Sequence, residues 1–85
     1  MKTYNNGSTA QELANEVKKM ISGIRLISDR EQILSEYEMF YFDDFYMGSG
    51  GVGQYKEMKD GTLRIQIGYG KGRNNKARCA VIKAN

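Results

Sequence analysis

The residues best suited to chemistry fall in two runs of opposite character. The first is an aromatic band. Tyr37, Phe40, Tyr41, Phe42, Phe45 and Tyr46 are six of the nine aromatic residues, set within ten positions. Glu36, Glu38, Asp43 and Asp44 are interleaved with them. Rings that bury large apolar areas, next to carboxylates that meet cations, suit recognition of another protein. The second run is basic. Arg64, Lys71, Arg73, Lys76 and Arg78 surround a stretch rich in glycine and asparagine, with Tyr69 beside it. Lysine and arginine neutralise phosphates, glycine lets backbone amides approach them, and a tyrosine ring can stack on a base. No helix-turn-helix or zinc-finger spacing accompanies this run, and Gly68-Tyr69-Gly70 is a fragment of an RNP1-like string. A solvated basic hairpin that keeps a sheet edge soluble is the simpler use of the same residues.

Catalytic chemistry has little to work with. Histidine, tryptophan and proline are absent, and Cys79 is the single cysteine. That excludes Ser-His and Cys-His nucleophiles, a zinc site and a disulfide within the chain. Gly48-Ser49-Gly50-Gly51-Val52-Gly53 lacks the Gly-Lys-Ser/Thr ending of a phosphate loop and reads as a connector. Asp43 or Asp44 together with Glu57-Met58-Lys59 resembles the Asp…Glu-x-Lys metal site of restriction-endonuclease-like nucleases. In those sites paired carboxylates hold Mg²⁺ and the lysine assists water activation. Three residues carry that match, and Glu57 and Lys59 fall at a hairpin end. The expectation is a non-enzymatic protein with no metal and no cofactor.

Those runs need a scaffold. The 85 residues make one domain, 1–85, with 40% apolar and 27% charged residues. Residues 1–7 read as a flexible lead, 8–35 as the helical part and 36–85 as an antiparallel sheet. Ser8 or Thr9 can cap a helix from about Ala10 to Ser22. Leu13, Val17, Met20, Ile21 and Ile24 form its apolar stripe, and Gly23 marks its end. Ser28-Asp29-Arg30-Glu31 is a second capping signal, for a short helix from about Arg30 to Ser35. Strands follow over 36–47, 52–58, 62–69 and 77–84, with Lys59-Asp60-Gly61 as a hairpin turn. Whether 36–47 continues the helix instead is open. Leu63, Ile65, Ile67 and Tyr69 alternate with Thr62, Arg64, Gln66 and Gly68. The predicted fold class is α+β: an N-terminal helix and a short second helix packed on a four-stranded antiparallel meander.

Charge is polarised along the chain. From Glu31 to Tyr55 there are five acids and no base; from Gly61 to Asn85 there are six bases and no acid; the net charge is +3. Pairing the two segments in one sheet would cancel much of this, whereas separate faces would leave a steering dipole. In the aromatic strand, Tyr37, Met39 and Tyr41 share one face, and Phe40 and Phe42 share the other. One helical layer covers one face only. The uncovered row is either an interface, with a protein or a second copy of the chain, or core in a curled sheet. Cys79, in an apolar run, reads as a buried thiol; with no disulfide framework a reducing, cytoplasmic location is expected. No apolar run reaches the roughly 18 residues of a membrane span, and Met1–Gly7 has no signal-like apolar region.

In size, helix-plus-sheet plan, lack of catalytic residues and charged aromatic surfaces, the chain resembles the small proteins that phages and mobile elements carry against host defences, such as anti-CRISPR inhibitors. The resemblance implies an inhibitor that docks on a nucleoprotein complex. Glu36, Tyr37, Glu38, Phe40, Tyr41, Asp43, Asp44 and Tyr46 would be its partner-binding face. The alternative is a small nucleic-acid-binding module that uses Arg64, Tyr69, Lys71, Arg73, Lys76 and Arg78.

Overall fold

The computed structural model describes residues 3–4, 8–43, 51–69 and 76–84. Two helices, α1 (Ser8–Met20) and α2 (Ile27–Ile33), lie on one face of a sheet. The sheet contains β1 (Thr3–Tyr4), β2 (Glu38–Phe42), β3 (Tyr55–Glu57), β4 (Thr62–Tyr69) and β5 (Ala77–Ala84). The α+β class and the four antiparallel strands β2 to β5 are those expected from the sequence. The bounds of β4 and β5 coincide with expectation, while β2 and β3 are shorter. Thr3 and Tyr4, expected within a flexible lead, pair in parallel with Lys83 and Ala84.

Only β3, β4 and β5 follow one another as a meander. The first long strand, β2, lies beside β5 at the far side, so the order is β2-β5-β4-β3. A full meander would have left β5 at an edge. Burial explains the observed order: Cys79, Ala80 and Ile82 of β5 are fully buried, as are Leu63, Ile65 and Ile67 of β4. Both strands are apolar on the helix face, and β5 adds Ala77, Cys79 and Val81 on the other, so these two take the centre. The short charged β3 and the partly exposed β2 take the edges.

The core lies between α1 and the sheet. Ala10, Ala14 and Val17 of α1, continued by Ile21 just past its end, form one buried line at helical spacing. The alanines displace Leu13 and Met20 from that line; Leu13 is half-buried and Met20 exposed. Small side chains there let the helix sit close on Leu63, Ile65 and Ile82. Each large aliphatic side chain so buried contributes about 2 kcal/mol.

The second helix is held by the sheet, not by its cap. Its N-cap is Leu26, without a side-chain hydrogen bond, so Ser28 and Asp29 lie inside the first turn. Arg30 anchors it. Its Nε donates to Ile24 O at 2.7 Å and its Nη1 donates to Ile67 O. The second acceptor exists because of a β-bulge: Gln66 pairs with Cys79 and Gly68 with Arg78, which leaves Ile67 out of register. Gly68 lies directly beneath α2. A Cβ there would come within 3.0 Å of the Ile27 side chain.

The β3–β4 hairpin forms over Lys59-Asp60-Gly61 as expected, as a three-residue loop closed between Met58 and Thr62. Gly61 N–H donates to Met58 O at 3.1 Å, and Gly61 adopts φ 86° in the left-handed region. Asp60 Oδ1 accepts from the Thr62 hydroxyl at 2.6 Å and from Thr62 N–H at 3.0 Å. The hydroxyl bond first, then the amide bond, hold this exposed carboxyl below the usual aspartate range.

Candidate functional site

The face of the sheet turned away from the helices is built in rows. Register places Glu38, Val81 and Arg64 side by side across β2, β5 and β4. The next row is Phe40, Cys79 and Gln66, and the next Phe42, Ala77 and Tyr69. Lys56 extends the first row onto β3, and Lys83 lies beside Thr62 on the same face. The bulge produces this arrangement. Strict alternation assigns Tyr69 to the helix face with Ile65; the extra residue at Ile67 turns it to the opposite face.

Small residues in the central strand let the flanking strands reach one another. The Arg64 guanidinium carbon stands 3.6 Å from the Phe42 ring centroid. Phe42 belongs to β2 and Arg64 to β4, so this cation–π stack crosses β5 near Ala77 and Cys79. Phe40 packs tilted against Phe42 with ring centroids 6.3 Å apart, and remains 48% exposed. Gln66 and Cys79 are fully buried in this face. The Gln66 amide makes no hydrogen bond among the described residues.

The helix side of β2 carries the second half of the aromatic band. Tyr41 is 51% exposed, and the Arg78 guanidinium lies over its ring at 4.4 Å. Arg78 also holds Glu31 of α2 through two bonds, Nε to Oε2 at 2.9 Å and Nη2 to Oε1 at 2.8 Å. The Glu31 hydrogen bond raises the arginine pKa further, against a smaller opposing effect of burial. A fork-to-fork pair of this kind fixes both side chains in one geometry.

The partner-binding residues expected from sequence divide accordingly. Glu38, Phe40, Tyr41 and Asp43 are exposed on or beside β2, and Glu36 is exposed ahead of it. Tyr37 is 7% exposed and belongs to the core, because the turn after α2 points it under the helices; it forms no part of a surface. Asp44 and Tyr46 lie outside the described residues, as does Phe45. Of the basic set, Arg78 is engaged with Glu31 and Arg64 with Phe42, so neither guanidinium stands on an open hairpin. Tyr69 is exposed and Lys76 half-buried, whereas Lys71 and Arg73 fall outside the described residues.

Among the described residues the nuclease-like pattern is not assembled with Asp43; Asp44 lies outside them. Asp43 follows one edge strand and Glu57 ends the other, with β5 and β4 between them. No group of three or more potential metal ligands occurs among the described residues. Among them, too, no helix is long and apolar enough to cross a membrane. Gly53 N–H donates to Gln66 O at 2.8 Å, which ties the end of the glycine-rich connector to β4. Sequence reasoning missed Lys56 and Lys83 as members of the open face and Arg30 as an anchor. The pairing that gathers them is long-range, and only the Gly68 position hinted at an irregular strand.

Comparison with known protein families, curated proteins and solved structures gives no match.

Proposed function

We propose that this chain is a non-enzymatic binding protein that docks on another protein through β2 and inhibits it, the partner being a nucleic-acid-handling complex. One observation carries the reading. An edge strand presents a half-exposed ring to each side, Phe40 and Tyr41, beside the exposed carboxylates of Glu38 and Asp43. Exposed aromatic anchors rimmed by charge are what protein interfaces use. The acidic rim favours a basic groove of the sort that accepts nucleic acid. The test is capture from a host extract by the immobilised protein. Tyr41→Ser with Asp43→Lys is expected to lose a nucleoprotein component that the unaltered protein retains, with an unchanged far-UV circular dichroism spectrum. Equal capture by the variant overturns the reading.

A second reading has its own support. The bulge brings Tyr69 to the open face with Phe40, and Arg64, Lys56 and Lys83 outnumber Glu38 there. Rings and cations on an open sheet face suit the bases and phosphates of a single strand. Labelled single-stranded RNA and DNA would then bind with a steep salt dependence that weakens in Arg64→Gln and Tyr69→Ala. No binding at low salt excludes this reading.

A further inference from the structure

We propose that β2 pairs, edge to edge and antiparallel, with β2 of a second copy of the chain, so that the docking surface is built across a two-fold axis at Phe40. The inference rests on the reading of β2 as a docking strand and names its first occupant.

The strand is unusual for an edge. Its pairing with β5 is continuous over five residues, without a bulge. It contains no proline and no lysine, and four of its five residues, Met39 to Phe42, are apolar or aromatic. Edge strands are ordinarily protected by such interruptions or by inward charges. Among the described residues no strand pairs with the outer side of β2.

The occupant follows from register. An antiparallel strand overlaps fully with its own copy only about its middle residue, here Phe40. A two-fold axis perpendicular to the sheet keeps matching faces together. Phe40 then opposes Phe40 of the second copy on the open face. Met39 opposes the second copy's Tyr41 on the helix face, a thioether against a ring. Glu38 opposes the second copy's Phe42. A carboxylate there meets the positive edge of a ring whose face already holds the Arg64 guanidinium. The single charge within β2 is thus placed next to the opposite charge. Displacing the register by two residues leaves only three of the five positions paired. Asp43 lies just beyond the paired residues and stays available to a different partner. The four Phe40 and Phe42 rings of the pair gather at the axis, which a single copy cannot achieve.

Cysteine cross-linking at the register positions tests this. In a Cys79→Ala background, which removes the thiol directly opposite Phe40, Phe40→Cys, Glu38→Cys, Phe42→Cys and, on the opposite edge, Lys56→Cys are each oxidised mildly and weighed under non-reducing conditions. Phe40→Cys alone is expected to give predominantly covalent dimer, since only that residue faces itself across the axis. Mixing Met39→Cys with Tyr41→Cys is expected to cross-link the two variants to each other. In sedimentation over a concentration series the unaltered protein is expected to approach dimer mass. Phe40→Lys, with like charges on the axis, is expected to remain monomeric with its secondary structure intact. Monomer mass throughout the series for the unaltered protein, or equal cross-linking at residues 38, 40, 42 and 56, overturns the proposal. Self-association is read without any partner. A monomer that still shows Asp43-dependent capture refutes the pairing alone, and a dimer that captures nothing refutes the docking reading alone.

Discussion

Gln66 is the residue whose environment fits its chemistry least. Both atoms of its amide are buried, and neither has a hydrogen-bond partner among the described residues. An amide taken out of water without a partner costs about 1–3 kcal/mol. Gln66→Met keeps the length of the side chain and removes the polar atoms. It is therefore expected to raise stability by about 1 kcal/mol, seen as a higher urea midpoint at an unchanged slope. A lower midpoint would show that the amide is engaged and holds the face together. The sequence placed Gln66 correctly on the polar side of its strand, opposite Ile65 and Ile67. It did not reveal that this side is covered, because the Phe42 ring stacked with Arg64 over this face comes from β2, a strand distant in sequence.

At the level of elements, α2 depends on a carbonyl that a regular strand would not offer. Seven residues without a capping side chain form a marginal helix on their own. Arg30 ties α2 to the connector at Ile24 and to the bulge at Ile67, and Gly68 lets it approach. Removing the guanidinium leaves both acceptors short of a donor. Arg30→Met is expected to cost about 2–3 kcal/mol, with amide exchange accelerated through residues 24–33 before the core of β4 and β5 responds. Uniform acceleration across the protein would instead mean that α2 and the sheet open as one unit. The existence of this helix was legible in the sequence, in the 28–31 run. Its start was not, because Leu26 gives no capping signal and the anchoring carbonyl lies 37 positions away in a bulge. The strands that could be read to the residue, β4 and β5, are those whose apolar pattern matches burial at the centre of the sheet.

Across the whole molecule, the polarised sequence folds into a less polarised surface. The acidic middle supplies β2 and Glu31, the basic end supplies β5 and Arg78, and the two meet in a five-pair ladder and a bidentate ion pair. Arg64 is drawn onto Phe42 in the same way. Pairing within one sheet, one of the two arrangements the charge pattern allowed, is the one adopted. The order of strands was beyond the sequence because neighbour choice among four strands is decided by total burial, not by any local signal. Of the aromatic band, Phe40 and Tyr41 remain open, Phe42 is half-buried and Tyr37 is absorbed into the core. The central position of β5 also gives the molecule an internal timer. Cys79, its only sulfhydryl, is sealed in the middle strand. A thiol reagent can reach it only when the side chains over this face, Phe40, Phe42 and Arg64, move aside, so the labelling rate counts how often that cover opens.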